Sequence, residues 1–342
     1  RFEPNWVACS AAISACEAPR AWRHALALLE GRRLLPPWPD GICLGTVVRT
    51  CAAASAWRAA ALVLWSRLKG GASIVGRPPG LSAPCGNSLG LPVLLWRPDA
   101  ACMAVDKPPQ MSSEEAFSRV ERFIALEGQP KIITRVSRLD AATSGVLMMA
   151  YGSKADVAVH HLLAQFTGRL VTKVYECLCA GAALGAVGTV SAVSFPISTT
   201  HGEYSYSRVS SCGREARTLL AVSGIFERTV PGRGRRAEKP HVSEPFSLIA
   251  ASPVTGRTHQ IRVHLGHLGR ALVADQVYGD QRRATDIEWC PRLFLHCRSA
   301  AAKDLDGKGL SAEAALPDDL TGAMRHLKLV ADVTRVNTGE WT

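Results

Sequence analysis

Arg138-Leu139-Asp140-Ala141-Ala142-Thr143-Ser144-Gly145-Val146-Leu147-Met148-Met149-Ala150 is the most informative run in the chain. An Arg-x-Asp pair enters a turn made from Thr-Ser-Gly, and an apolar run leaves that turn as a strand. A carboxylate at such a strand edge, with arginines nearby, is kept ionised because opposite charge lowers its pKa. It is then available as a nucleophile or base at neutral pH. Standing alone, Arg-Leu-Asp also fits an ordinary surface ion pair.

Two blocks further along sharpen the reading. Lys173-Val174-Tyr175-Glu176 opens another strand, and Thr255-Gly256-Arg257-Thr258-His259-Gln260-Ile261-Arg262-Val263-His264-Leu265 is followed by Gly269 and then Asp275-Gln276-Val277-Tyr278-Gly279-Asp280. The longer block predicts a turn at Gly256 and a helix with Ile261, Leu265 and Leu268 on one buried stripe, stopped near Gly269. Arg262 falls at the edge of that stripe, where its guanidinium can form a bidentate pair with a carboxylate from elsewhere. Short apolar runs bounded by turn signals, at 101–105, 144–151, 174–180 and 246–251, predict a mixed sheet with few helices.

In this order the blocks resemble the RluA family of RNA pseudouridine synthases. The family pattern is His-Arg-Leu-Asp-x-x-Thr-Ser-Gly, then Lys-x-Tyr, then Gly-Arg-x-His-Gln-Ile-Arg-x-His, then an Arg-Leu-x-Leu-His element, seen here as Arg292-Leu293-Phe294-Leu295-His296. Ala104-Val105-Asp106-Lys107-Pro108-Pro109 is similar to the family's strand ending in Asn/Asp-Lys-Pro. The resemblance spans about 101–325 and implies an α+β catalytic fold, a mixed and mainly antiparallel sheet with flanking helices.

It also implies a chemistry. Members isomerise uridine by breaking the bond from ribose C1′ to base N1, turning the uracil, and rejoining through C5, with no metal and no organic cofactor. One carboxylate suffices. Glycoside hydrolysis uses a second acid to protonate a poor leaving oxygen, whereas uracil leaves as an anion whose charge spreads over two carbonyls. By resemblance Asp140 is that carboxylate, as nucleophile on C1′ or as base for elimination at C2′, both routes staying open. Arg262 would pair with Asp140 and hold it, and Tyr175 would stack on the uracil. Arg138 would fill the gap left by a flipped base, which costs a few kcal/mol to extrude. Arg257, His259 and Lys173 complete the expected RNA-contacting set. The plainer readings remain beside these, Tyr175 as a core aromatic and Arg138 as a phosphate contact. Two positions depart from the pattern: Ser137 stands where the histidine is expected, and Gln110 where a glycine follows Lys-Pro-Pro. His259, His264 and His267 do not share one helical face at one level, so no metal is expected.

The front of the chain differs. Of 342 residues with a net charge of +11, residues 1–98 carry 11 Lys or Arg against 4 Asp or Glu, which favours a polyanionic partner there. Pro4 and Pro39, Cys16 and Cys51, Ala21-Trp22-Arg23 and Ala56-Trp57-Arg58, and Leu29 and Leu64 all repeat at an offset of 35. Paired helices at this period resemble pentatricopeptide repeats, which bind single-stranded RNA; a generic helical-hairpin solenoid that binds protein or braces the next domain is the alternative. Two repeats bury little core alone, and the chain starts at Arg1, so further repeats are expected upstream. Gly70-Gly71, Pro78-Pro79-Gly80, Pro84, Gly86 and Gly90 mark a linker.

The expected organisation is therefore helical repeats at 1–70, a linker at 71–98, the catalytic domain at 99–325 and a tail at 326–342. A basic loop over 231–240, with Arg233, Arg235, Arg236 and Lys239, fits a phosphate grip or a solvated hairpin tip. Eleven cysteines without a Cys-x-x-Cys pair read as reduced intracellular thiols. No apolar run approaches the roughly 18 residues of a membrane span. The expected partner is RNA, whether ribosomal, transfer or an organellar transcript, with no membrane and no metal, and a monomer is expected. The compartment is open, mitochondrion or plastid being suggested by the repeats. A catalytically inactive RNA-binding or RNA-chaperone protein is the rival reading, and Asp140, Tyr175 and Arg262 occurring together argue against it.

Overall fold

The computed structural model describes residues 90–126, 133–152, 156–200, 205–231, 241–279 and 283–332. The repeats, most of the linker, and all but the first residue of the basic loop lie outside the described residues.

The apolar runs become the middle of one large sheet. Strand β1 (Val93–Arg97) pairs with β2 (Cys102–Lys107), and β2 with β4 (Ser144–Tyr151), all antiparallel; the short β3 (Ile133–Thr134) also pairs with β4. β2 and β4 are buried along almost their whole length, as expected of strands covered on both faces. Next come β11 (Leu295–Lys303), β5 (Thr172–Ala180), β10 (His241–Pro253) and β9 (Thr218–Pro231), with β6 (Val190–Val193), β12 (Gly309–Glu313) and β13 (Lys328–Asp332) pairing at the sides. The eleven strands are antiparallel except where β4 meets β11, with His296 opposite Ser144 and Cys297 opposite Gly145. A separate hairpin joins β7 (Ile197–Thr200) to β8 (Tyr206–Val209).

Helices are few. α1 (Ser113–Leu126) buries Phe117, Val120 and Ile124 at helical spacing, and α2 (Val157–Thr167) buries Val159 and Leu162 against the same core. Each such side chain contributes about 1.5–3 kcal/mol on burial. α3 (Gln260–His267) buries Ile261 and Leu265, with Leu268 partly covered and Gly269 at φ 69° ending the turn. α4 (Arg283–Asp286) and α5 (Asp318–Met324) follow, and Leu320 of α5 caps a second cluster with Phe246, Trp289 and Phe294.

Two boundaries move. β1 falls inside the stretch read as linker, and β13 falls inside the stretch read as tail. Both are five-residue edge strands. The turn formers up to Pro92 outweighed the short run Val93-Leu94-Leu95-Trp96 behind them, and β13 exposes most of its residues, so neither carries the hydrophobic signature of the central strands.

Candidate active site

Asp140 sits in the turn entering β4, which the bond from Thr143 N–H to the Asp140 carbonyl closes at 3.0 Å. The backbone on both sides is fastened. The Ser113 hydroxyl, at the start of α1, accepts from Leu139 N–H and donates to the Leu139 carbonyl, both at 2.9 Å. On the other side the fully buried Lys107 ammonium donates to the carbonyls of Pro108 and Met111 at 2.8 Å and of Ala141 at 3.2 Å. Burial pushes Lys107 down to about 8, against the pull of Asp140. The helix start and the strand end thus clamp the residues flanking Asp140.

The facing wall is the segment between β10 and α3. Gln260 is buried, and its amide uses both ends: Oε1 accepts from the Thr255 hydroxyl at 2.6 Å and from Arg257 N–H at 3.0 Å, while Nε2 donates to the Arg217 carbonyl and the Thr218 hydroxyl at 2.9 Å. This fixes the loop that presents Arg257, Thr258 and His259. His259 itself has a left-handed backbone, φ 56°, at the head of α3. Its Nε2 lies 3.9 Å from Asp140 Oδ2, and its Nδ1 is 3.0 Å from the Tyr278 hydroxyl. Burial pushes the imidazole below its ordinary value, against the raising influence of Asp140.

Arg262 is buried and forms a fork with Asp275, Nε to Oδ2 at 2.8 Å and Nη2 to Oδ1 at 2.7 Å. Burial opposes this charge, but the carboxylate holds the guanidinium above its ordinary value. Asp275 is held low in turn: burial works against it, and Arg262 with the N–H groups of Tyr278 and Val277 overcomes that. The bidentate pair expected at the edge of the buried stripe therefore exists, but its carboxylate is Asp275. The expected direct pairing with Asp140 is corrected: Asp140 acts on Arg262 only through its charge. A planar fork engaged at both ends by one carboxylate has its best geometry already spent.

Tyr175 lies on β5, opposite Cys297 of β11 and Ala251 of β10, and is 8% exposed. Burial, then Cys297 and Asp140, push its phenol well above its ordinary value, so the ring stays neutral. Lys173, two residues back on the same face, has its ammonium 6.0 Å from the Phe166 ring and is pushed down by burial. Arg138 is exposed and donates from Nη2 to the Thr258 hydroxyl at 2.7 Å, bridging the two walls. Arg138, Asp140, Lys173, Tyr175, Arg257, His259 and Arg262 all line a single cleft of about 480 Å³. That volume suits a small-molecule-sized group such as a nucleoside.

Residues 101–267 match the RNA pseudouridylate synthase family. The match covers just under half of the chain. Ribosomal large subunit pseudouridine synthase C of Vibrio parahaemolyticus is 34% identical over 182 residues, covering 53% of this chain and 50% of that protein. An uncharacterized RNA pseudouridine synthase of Chloroflexus aurantiacus is 33% identical over 194 residues, 56% of this chain and 53% of that one. The chain thus spans about half the length of these relatives. In fold it is similar to human RNA pseudouridylate synthase domain containing 1, with a TM-score of 0.54 at 22% identity, over 76% of this chain and 94% of that one.

Around the cleft several contributors were given no role by the motifs. Ser113, Lys107, Gln260, Asp275 and Tyr278 act on the cleft through backbone carbonyls or through other side chains. A signal for Asp275 was present: a bidentate partner was expected for Arg262, and Asp275 stands in the turn that follows its helix. His264 spends its ring nitrogens on the Thr218 hydroxyl at 2.9 Å and the Phe195 carbonyl at 2.9 Å, a packing role.

Proposed function

We propose that the chain is an RNA pseudouridine synthase that converts uridine in RNA to pseudouridine, with Asp140 as the reacting carboxylate. The observation that carries this reading is the position of Asp140 in the wall of the cleft, 3.9 Å from His259 and sharing that cleft with Tyr175 and Arg262, inside a segment of the pseudouridylate synthase family. In the reaction the C1′–N1 bond breaks and a C1′–C5 bond forms; C5 loses a proton to solvent and N1 gains one, so no oxidant or reductant is consumed. The neutral Tyr175 ring forms a face for the uracil, and the exposed Arg138 of the cleft lining enters the space the base leaves. Arg262 acts on Asp140 as a fixed positive charge rather than as a hydrogen-bonding clamp.

The Vibrio parahaemolyticus relative is named for the ribosomal large subunit, so structured ribosomal RNA is the first substrate to offer. The test is release of tritium from 5-tritiated uridine RNA by the wild type and by Asp140→Ala. Release by the wild type alone is expected. Release by both would remove Asp140 from the chemistry, and binding without release by either would favour the RNA-binding protein that keeps only the fold.

A further inference from the structure

Outside the residues assigned to the reaction, a second charged feature stands at the mouth of the same cleft. Phe166 and Thr167, the last residues of α2, line the cleft wall, and Arg169 follows two residues later. Its backbone is left-handed, at φ 61°. An L residue with a long side chain is strained there, whereas glycine is not. Arg169 Nη1 lies 3.7 Å from the Glu215 carboxylate, and the Glu215 carbonyl accepts from Arg257 Nε at 2.8 Å. Arg214 is the neighbour of Glu215 in the loop before β9.

Three guanidiniums from three separate segments thus gather around Glu215, Arg169 at its carboxylate, Arg257 at its backbone carbonyl and Arg214 beside it in sequence. Glu215 is 75% exposed, so it screens them weakly and moves aside at little cost. Arg257 records the crowding: burial, then the charges of Arg214 and Arg169, push it below its ordinary value. Like charges and backbone strain at one point lower stability in the free protein, and an arriving anion relieves the first of them.

We propose that Arg169, Arg214 and Arg257 form a binding site for a backbone phosphodiester of the RNA, adjoining the nucleotide seated in the cleft. This rests on the reading of the cleft as a pseudouridine synthase site. A guanidinium offers a planar fork that matches two phosphate oxygens, and the Arg257 side chain is anchored through Nε alone at the cleft lining.

The test uses the full chain carrying Asp140→Ala, so that RNA binding is read without turnover, and adds Arg169→Ala, Arg214→Ala or both. Affinity for a uridine-containing single-stranded RNA is followed against potassium chloride. The slope of log affinity on log salt is expected to shrink by about 0.7 for each arginine that meets a phosphate, with affinity about tenfold lower in the double variant. In the otherwise wild-type enzyme, KM should rise while kcat stays within about twofold. Arg169→Gly separates function from packing: strain relief keeps or raises Tm while RNA binding weakens, whereas a merely structural arginine gives a lower Tm and unchanged binding. Unaltered affinity and salt slope in the double variant overturn the site, and so does inorganic phosphate stabilising the wild type while the RNA slope stays the same. Neither result touches Asp140, whose failure would appear separately, as absent tritium release by the wild type.

Discussion

Arg262 gives the Nε–Nη2 edge of its guanidinium to Asp275, 13 residues further on, while Asp140 lines the same cleft without a hydrogen bond to it. One cation thus faces two carboxylates. Asp275 fixes where the guanidinium stands, and Asp140 acts on it through its charge.

Asp275→Asn is expected to leave a buried guanidinium without its counter-charge, at a cost of about 3–5 kcal/mol. Urea unfolding measures it. A midpoint equal to that of the wild type would mean that the fork contributes nothing to stability, and that Arg262 finds another partner.

The sequence carried the central strands and α3 because their signals are local: uninterrupted apolar runs in β2 and β4, and Ile261 with Leu265 one turn apart. The cleft residues were legible because their spacing follows a family pattern. What stayed hidden was pairing over long separations. Ser113 with Leu139 and Lys107 with Ala141 depend on how α1 and β2 come to rest beside the turn at Asp140, and nothing in their own neighbourhoods marks them. Arg292 is a further case, since it reaches both Asp319 of α5 and the Ser144 hydroxyl at the start of β4. Edge strands β1 and β13 were missed for the opposite reason, β1 being a short run behind a string of turn formers and β13 short and mostly exposed.

Tyr278 is expected to set the proton of His259. Its oxygen accepts from Ser207 N–H at 3.1 Å and stands 3.0 Å from His259 Nδ1, the arrangement in which its own hydrogen is donated to that nitrogen. A neutral imidazole that accepts at Nδ1 carries its hydrogen on Nε2, facing Asp140 at 3.9 Å. Tyr278→Phe keeps the ring that stacks on Tyr206 and lies under Arg262, but releases this tautomer. A fall in kcat of about tenfold is expected, with KM little changed, and nitrogen NMR of His259 should show the hydrogen shared between Nδ1 and Nε2. An imidazole still protonated only at Nε2 would remove Tyr278 from this role.

Gly145 has a steric task rather than a flexible one. Its φ is 108°, and a Cβ there would run into the backbone of Cys297, where β4 and β11 pair in parallel. Gly145→Ala is expected to force these strands apart beside the turn that holds Asp140, lowering stability by about 2–4 kcal/mol, the range of overpacking combined with backbone strain. Thermal unfolding checks this. A Tm within a degree or two of the wild type would show that the parallel contact yields easily.

Lys107 makes stability and activity move in opposite directions with pH. Its ammonium has three hydrogens for three carbonyls, and the neutral amine has two. Burial lowers its pKa from 10.5 to about 8, with Arg292 also lowering it and Asp140, Asp106 and Glu115 raising it. Between those two values the unfolded chain binds the proton more tightly than the folded one, so this group's contribution to stability grows as pH rises from about 8 to 10.5. Over the start of the same interval the clamp on Ala141 loses a donor, and activity is expected to decline with a midpoint near 8. Lys107→Met, which cannot titrate, provides the reference: the stability difference between wild type and variant should climb in favour of the wild type across this interval, whatever the cysteines and tyrosines do in both. A difference that stays flat with pH would mean that Lys107 keeps its ordinary pKa in the folded chain, and the alkaline loss of activity would then need another source.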